Sequence, residues 1–268
     1  MLHCLTATGP VKKMEAGKGT QFVKEIEALS PSGGGDCPEL AFRGITDALN
    51  EGPQSGSPLY VFTDATAKDY DDYYDKAMVA ATSQGTSVYI FFTGGGCYKS
   101  SSKPYQDLAS ETCGQMFKIP KNSKDLATMS NITKSLLHVA SCNMRSGGGL
   151  FGRKKRSGSS EYKLFFDDVM EKVVVSVTTQ NTGARIDLKD PRGIPVSGSG
   201  KIILDRGAIF EIDNHRPGSW KLIVSSGAGK HSYVIKASSK TNLDFDFVFV
   251  IPRKRMSPLP ISHPLIGK

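Results

Sequence analysis

Long apolar segments are missing from this chain of 268 residues. Its longest apolar runs, such as residues 247–252, are far shorter than the ~20 residues that a membrane-spanning helix needs, so we expect no membrane span. Hydrophobic residues make up 38% of the chain and charged residues 22%. This composition is typical of a soluble globular protein, and it excludes a coiled coil, a collagen-like chain and a fully disordered chain.

The motifs of several enzyme classes are also absent. The five histidines form no His-Glu-x-x-His motif, and no Gly-x-Ser-x-Gly elbow occurs. Residues 227–231 resemble a phosphate-binding loop, but that pattern requires Gly at Val224 and Ser or Thr at His231, so we interpret the segment as a hairpin turn. Gly94–Gly96 does not complete a dinucleotide-binding fingerprint. We therefore expect no catalysis, with a nucleotide-binding α/β enzyme as the alternative.

A recognisable signal peptide is missing as well. Residues 1–5 lack a basic start, and no long apolar stretch follows them. This leaves two interpretations, a cytosolic protein or a chain that begins partway through a larger one.

Charged residues are distributed unevenly. Residues 1–146 contain 14 Lys and Arg against 15 Asp and Glu, whereas residues 147–268 contain 20 against 11. The net charge of +8 therefore comes from the second half, which predicts two units of different character. The basic half could bind acidic polysaccharide, nucleic acid or a membrane surface, or it could simply carry solvated basic loops.

The first half alternates between strand and helix patterns. Short apolar runs at 59–62, 88–92 and 115–119 predict buried parallel strands. Apolar residues at helical spacing predict helices over 22–29, 40–49, 70–81, 104–110 and 126–139. This alternation predicts a doubly wound, mostly parallel α/β sheet, in which ligands bind at the carboxyl ends of the strands. Asp64 and Gly94–Gly96 follow two of those strands.

The sequence of the second half predicts β-strands only. Strands are predicted at 172–178, 185–189, 201–204, 208–212, 220–224, 232–236 and 243–250. Turn signals recur about every 8–12 residues, which predicts an antiparallel β-sandwich or barrel.

Several motifs resemble a known family. Residues 33–39, Gly-Gly-Gly-Asp-Cys-Pro-Glu, and residues 60–65, Tyr-Val-Phe-Thr-Asp-Ala, resemble the von Willebrand factor A domain of the hemicentins, which are extracellular matrix proteins. Residues 217–220 and 243–249 resemble the β-sandwich that follows this domain in the same family. The resemblance implies a partial A domain over 1–145, a Gly/Ser/basic linker over 146–160, a β-sandwich over 161–252 and a basic, Pro-rich tail over 253–268.

The resemblance also bears on metal binding. Family members open with a strand carrying Asp-x-Ser-x-Ser that supplies part of a metal-ion-dependent adhesion site for Mg²⁺ or Ca²⁺; no such motif begins this chain, which therefore looks N-terminally truncated. Asp64 matches one of the remaining ligand positions, and Asp36 lies on the loop that matches the second ligand loop, where family members usually carry Thr. We expect no metal in this chain. The alternative for Asp36 is that it caps a helix starting near Pro38.

The family implies an extracellular, non-enzymatic adhesion protein with a protein or matrix partner. Sulfated glycans are a second candidate ligand, and a fragment without a partner is a further alternative. No nucleic-acid partner is expected.

Three further features are compatible with the extracellular setting that the resemblance implies. The five cysteines form no Cys-x-x-Cys motif, and Cys97 and Cys113 could pair or remain free thiols. Asn131 opens an Asn-Ile-Thr glycosylation sequon. The basic residues Arg153, Lys154, Lys155 and Arg156 fit a proprotein-convertase cleavage site, a polyanion-binding patch or a solvated linker.

Overall fold

The computed structural model describes residues 12–15, 17–30, 37–94, 101–120, 123–137, 159–239, 249–253 and 256–261. Among these residues, no helix combines the length and the apolar composition that a bilayer span requires.

The first unit is a small parallel sheet with its connecting helices. Its elements are α1 (Gly19–Glu27), α2 (Ala41–Asn50), β1 (Leu59–Thr63), α3 (Tyr70–Ser83), β2 (Val88–Phe92), α4 (Lys103–Glu111), β3 (Met116–Lys118) and α5 (Ser123–Leu137). The strands lie in the order β1-β2-β3 and both pairs are parallel. The α/β part of the predicted fold class is therefore confirmed.

Helices cover one face of this sheet. The apolar sides of α2, α3 and α4 pack there against alternate residues of β1 and β2. Because each helix buries one side, its apolar residues recur with a period of 3.6, and this spacing predicted the helices from the sequence. The buried members of this core include Phe42, Ile45, Leu49, Ala77, Ala81, Val88, Ile90, Phe92, Tyr105 and Leu108. Helix α1 is different, because its Phe22 and Ile26, and Leu29 just beyond its end, are each at least half exposed.

The second unit is an antiparallel β-sandwich. Its strands are β4 (Ser160–Phe166), β5 (Met170–Thr179), β6 (Ile186–Lys189), β7 (Lys201–Leu204), β8 (Gly207–Asp213), β9 (Gly218–Val224) and β10 (His231–Ser239). One sheet has the order β4-β9-β6 and the other β10-β5-β8-β7. Alternate side chains of both sheets form the core between them, including Leu164, Val173, Val175, Leu188, Phe210, Trp220 and Leu222. This confirms the all-β part of the predicted fold class.

A further hairpin follows the sandwich. Strand β11 (Phe249–Arg253) pairs with β12 (Met256–Ile261) in antiparallel register. The hairpin spans the predicted boundary between residues 252 and 253. The domain limits stay predictions, and residues 138–158, most of the predicted linker, lie outside the described residues.

The sandwich packs directly on the parallel sheet. The sheet face opposite α2–α4 carries Tyr89, Phe91 and Phe117, and these side chains share one apolar core with Val174 of β5 and Ile209 of β8. The outer face of the sandwich thus takes a place that a helix layer occupies in a doubly wound fold, with α5 beside it. The two units form one continuous structure.

Strand β5 is the centre of this arrangement. Residues 173–177, Val-Val-Val-Ser-Val, are all buried, because odd-numbered residues point into the sandwich and even-numbered residues face the parallel sheet. Ser176 donates a hydrogen bond to the Gln115 side chain of the first unit. A run without polar alternation is the pattern of a strand buried on both faces.

One lysine is buried in the contact between the units. Lys236 on β10 is 6% exposed. Its Nζ donates to Ser87 Oγ at 3.3 Å and lies 4.7 Å from the centre of the Tyr89 ring. Burial lowers the pKa of Lys236 from 10.5 to about 8. On the same side of the parallel sheet, burial raises the pKa of Tyr60 to about 12.

Two local predictions are wrong. Helix α2 begins at Ala41 and not near Pro38, because Glu39 forms a parallel bridge with Ala67. Residues 227–231 do not form a hairpin turn, because this segment leads from β9 in one sheet to β10 in the other.

Candidate functional site

The candidate site lies at the carboxyl ends of β1 and β2, which we call the carboxyl edge. Asp64 directly follows β1 and is exposed. Thr93 and Gly94 follow β2, and Thr93 N–H donates to Thr63 O at 2.9 Å. The backbone of Gly94 passes so close to Asp64 that a Cβ at this glycine would lie 1.5 Å from the Asp64 carbonyl oxygen. Only glycine allows the two loops to meet in this way.

A third segment joins this edge. The backbone N–H of Glu39 donates to Thr66 O at 2.8 Å, and Lys68 N–H donates to Glu39 O at 2.9 Å. These bonds hold the residues after Asp36 against the loop after Asp64. Asp36 itself lies outside the described residues, so its place beside Asp64 stays a prediction.

Hydrogen bonds keep the Asp64 loop in place. Thr63 Oγ1 donates to Ala65 O at 3.1 Å, and the Tyr105 hydroxyl donates to the same carbonyl oxygen at 3.1 Å. Tyr105 is 1% exposed, and its burial raises the pKa of the hydroxyl far above the usual value. The loop therefore presents the Asp64 carboxylate from a fixed backbone.

A second carboxylate in this loop has a structural role that sequence reasoning missed. Asp69 is 4% exposed, and its two side-chain oxygens accept hydrogen bonds from Phe42 N–H at 3.2 Å and Arg43 N–H at 2.8 Å. These are N–H groups of the first turn of α2, which lack partners within the helix. Asp69 thus caps α2 from a distant part of the chain, in the role that the alternative interpretation gave to Asp36.

The described residues do not fit the metal ion that the fold implies. A hard cation such as Mg²⁺ needs about six oxygen ligands. Within the described ranges no group of three or more His, Cys, Asp or Glu side chains could hold a metal ion, and both oxygens of Asp69 are engaged by α2. The described residues therefore do not make up a metal site.

A cleft of about 560 Å³ opens beside the carboxyl edge. Pro38 and Ala67 form its floor on the edge side, and the amino-terminal turns of α3 and α4 form its walls. Its lining mixes tyrosine, proline, lysine and aspartate: Pro38, Ala67, Lys68, Tyr70, Tyr74, Ser101, Lys103, Pro104 and Asp107. This combination of ring surfaces with charges of both signs suits the side chains of another polypeptide.

The other predicted site residues are scattered over the chain. Cys37 and Cys113 are each disulfide-bonded, while Cys97 lies outside the described residues, so the Cys97–Cys113 pairing stays a prediction. Asn131 is exposed on α5, and its glycosylation stays a prediction. Arg153, Lys154, Lys155 and Arg156 also lie outside the described residues.

Comparison with known proteins agrees with this architecture. Residues 8–121 match the family model for the von Willebrand factor A domain. The chain is 26% identical to mouse Hemicentin-2 over 232 residues and 26% identical to human Hemicentin-1 over 233 residues. Each match covers 84% of this chain and 4% of the relative, so the chain spans a small fraction of those proteins.

A solved structure described as a von Willebrand factor type A protein from Catenulispora acidiphila is 10% identical, with a TM-score of 0.29. That likeness covers 75% of this chain and 44% of the other. The family match, the two relatives and the parallel sheet with its carboxyl edge lead to one conclusion: residues 8–121 match the von Willebrand factor A domain, and the chain is similar to the hemicentins.

Proposed function

We propose that this chain is a non-enzymatic, extracellular adhesion module that binds a protein or matrix partner at the carboxyl edge. The observation that carries the proposal is the convergence of three loops there, around the exposed Asp64 and beside a cleft of about 560 Å³. A rigid edge of this kind offers a preformed surface, which limits the conformational entropy lost on binding. The similarity to hemicentins supports the extracellular setting.

Recognition at the carboxyl edge depends on both charge and shape. The Asp64 carboxylate provides an exposed negative charge on a fixed loop. In the adjacent cleft the charge of Lys103 is matched by its partner Asp107. Tyr70 and Tyr74 add ring surface of the kind that is enriched in protein interfaces. The partner would therefore contact Asp64 through a polar or cationic group and fill the cleft with an apolar one.

A solid-phase binding assay tests this function. The probes are immobilised laminin, fibronectin and type IV collagen, and the full chain is compared with Asp64→Ala and with the control Asp71→Ala, an exposed aspartate on α3. We expect binding to at least one probe, lost in Asp64→Ala and retained in the control. Absence of binding to every probe, or equal binding by all three proteins, would overturn the proposal.

Cation binding needs its own measurement. Asp64 with Asp36 could contribute two carboxylates to a site for Mg²⁺ or Ca²⁺, and our proposal is that partner binding does not depend on one. Calorimetric titration with each cation measures this directly. Partner binding that disappears in the presence of a chelator would contradict the proposal.

The modifications expected of a secreted protein remain proposals. Expression behind a secretion signal, followed by glycosidase treatment, would reveal glycosylation as a shift in mass that Asn131→Gln abolishes. Two disulfide-bonded cysteines, Cys37 and Cys113, support an oxidising compartment. Cleavage at Arg153–Arg156 and a sulfated-glycan partner of the basic half likewise stay predictions from the sequence.

A further inference from the structure

The outer face of the β4-β9-β6 sheet carries an unusual alignment of lysines. Side chains alternate along these strands, so Leu164, Leu222 and Leu188 face the sandwich core while their neighbours face outward. In the strand register Lys163 of β4 lies opposite Lys221 of β9, and Lys221 lies opposite Lys189 of β6. Three ammonium groups thus form one row across the sheet, which we call the lysine row.

Such a row is unfavourable for an isolated sheet. Adjacent strands are ~4.8 Å apart, and like charges directly opposite one another destabilise a strand pair. Neither Lys163 nor Lys189 forms an ion pair with a carboxylate in the part of the chain that the structure describes. Lys221 has one acidic neighbour, Glu161 at 3.3 Å, and both side chains are about half exposed. The repulsion within the row is therefore only partly offset.

The second carboxylate on this face does not neutralise the row. Asp187 accepts a hydrogen bond from Arg185 at 2.8 Å and from Lys201 Nζ at 3.4 Å. Burial by itself would raise the pKa of Asp187, but these two cations outweigh burial and the pKa is lowered. Asp187 is thus committed to two cations of its own, and the face as a whole stays positive.

Lys163 and Lys221 of the lysine row are exposed, and Lys189 is half-buried. The opposite sheet of the sandwich is the one that packs on the A domain, so the outer face of β4-β9-β6 points away from that contact. Phe165, two residues after Lys163 on the same face, is 73% exposed, and Ser219 lies opposite it. A sheet face with lysines in line and an exposed apolar ring beside them complements a linear polyanion whose sugar rings carry apolar C–H faces.

We propose that the lysine row, with Phe165 at its side, is a binding surface for sulfated glycosaminoglycans. The proposal rests on the proposed function in one respect only, the extracellular setting in which such chains occur. Glycan binding would use the face of the molecule away from the A domain, so it leaves the carboxyl edge open for a second partner. Its affinity would come mainly from counterion release and fall steeply with salt.

Charge reversal tests the lysine row. The full chain, a variant with Lys163→Glu, Lys189→Glu and Lys221→Glu, and a control variant are compared for binding to a heparin oligosaccharide by surface plasmon resonance. The control carries three matched reversals at exposed lysines elsewhere, Lys18→Glu, Lys24→Glu and Lys230→Glu, so both variants have the same net charge. We expect the row variant to lose about tenfold or more in affinity and most of its salt dependence, and the control to change by less than about threefold.

The remaining measurements separate the alternatives. A version with Lys163→Gln, Lys189→Gln and Lys221→Gln repeats the test if the glutamate variant does not fold, with thermal denaturation as the check. Equal losses in the row and control variants would show a general charge effect and overturn the proposal. Tighter binding to phosphatidylserine vesicles than to heparin, or undiminished binding to desulfated heparin, would also overturn it. Unchanged heparin affinity in Asp64→Ala is expected, because that change tests the carboxyl edge alone.

Discussion

Replacing Lys236 by methionine is predicted to stabilise this protein at neutral pH. The side chain is buried between the two units and donates to Ser87, with no carboxylate contributing to its lowered pKa. The pKa of Lys236 is about 8 instead of 10.5. Keeping its ammonium group charged at this buried position therefore destabilises the folded protein by about 3 kcal/mol. The attraction between this ammonium group and the Tyr89 ring offsets about 1–2 kcal/mol of that destabilisation. Methionine fills a similar volume without a charge, so we expect a net gain of about 1–2 kcal/mol at pH 7.

The sign of the pH dependence follows from linkage. Between pH 8 and pH 10.5 the unfolded chain keeps the Lys236 proton while the folded chain loses it, so the unfolded state binds more protons and stability rises with pH. The destabilisation is complete below pH 8 and disappears above pH 10.5. The advantage of Lys236→Met should therefore shrink as the pH is raised.

Urea denaturation at pH 7, 8.5 and 9.5 measures both effects. The control is Lys230→Met, at an exposed turn position, which should change stability by less than about 0.5 kcal/mol at every pH. If Lys236→Met were less stable than the parent at pH 7, or if its difference from the parent did not vary with pH, the account of a buried, uncompensated ammonium would be refuted.

Three further predictions concern packing and caps. Asp69→Ala leaves two N–H groups of α2 without acceptors and should lower the stability measured by urea denaturation by about 2–3 kcal/mol; an unchanged midpoint would contradict the cap. Gly94→Ala should cost about 1–3 kcal/mol or more, because its Cβ overlaps a carbonyl oxygen, whereas Gly227→Ala, which meets nothing within 4 Å, should melt like the parent. Phe91→Ala should destabilise the protein by about 3–5 kcal/mol, because Phe91 lies in the core shared by the two units. Trp220 is the single tryptophan and lies in the second unit, so its fluorescence transition should shift together with the helical circular dichroism signal of the first unit. Separate transitions for the two signals would show that the units unfold independently.

The sequence predicted the elements of this fold better than their packing. Apolar spacing located helices such as α2 and α3 and the parallel strands β1 and β2, because each of them buries one or both faces in a regular pattern. The same spacing predicted α1, whose apolar residues are nevertheless exposed in the structure. A periodic stripe indicates that a helix can form, but it does not identify the surface that covers it.

The contact between the two units could not be predicted from the sequence. The valine-rich run in β5 indicated a buried strand, but it did not reveal that its second face packs on Tyr89 and Phe91 of the first unit. The burial of Lys236 could not be predicted either, because a lysine in an alternating strand is usually exposed to solvent. Both observations depend on how two sheets meet, and that information is spread over residues more than 80 positions apart.

The candidate site was predicted in part. The turn after a buried parallel strand pointed to Asp64, and the rule that ligands bind at carboxyl ends gave its location. The role of Asp69 was missed because a cap acting across 26 residues leaves no local signal, unlike the Asx caps that directly precede a helix. The sequence contains Gly94 after β2, but only the structure shows that this residue packs against the Asp64 backbone, where no side chain fits.

The shared core between the units has a consequence for proteolysis. If a convertase cuts the chain at Arg153–Arg156, the two pieces remain held by the same apolar side chains and by the bonds from Gln115 and Lys236. The nicked product would then migrate as one particle under native conditions and separate under denaturing ones, provided that no disulfide joins the pieces. Cleavage at this point would remove the peptide connection between the two units without separating them.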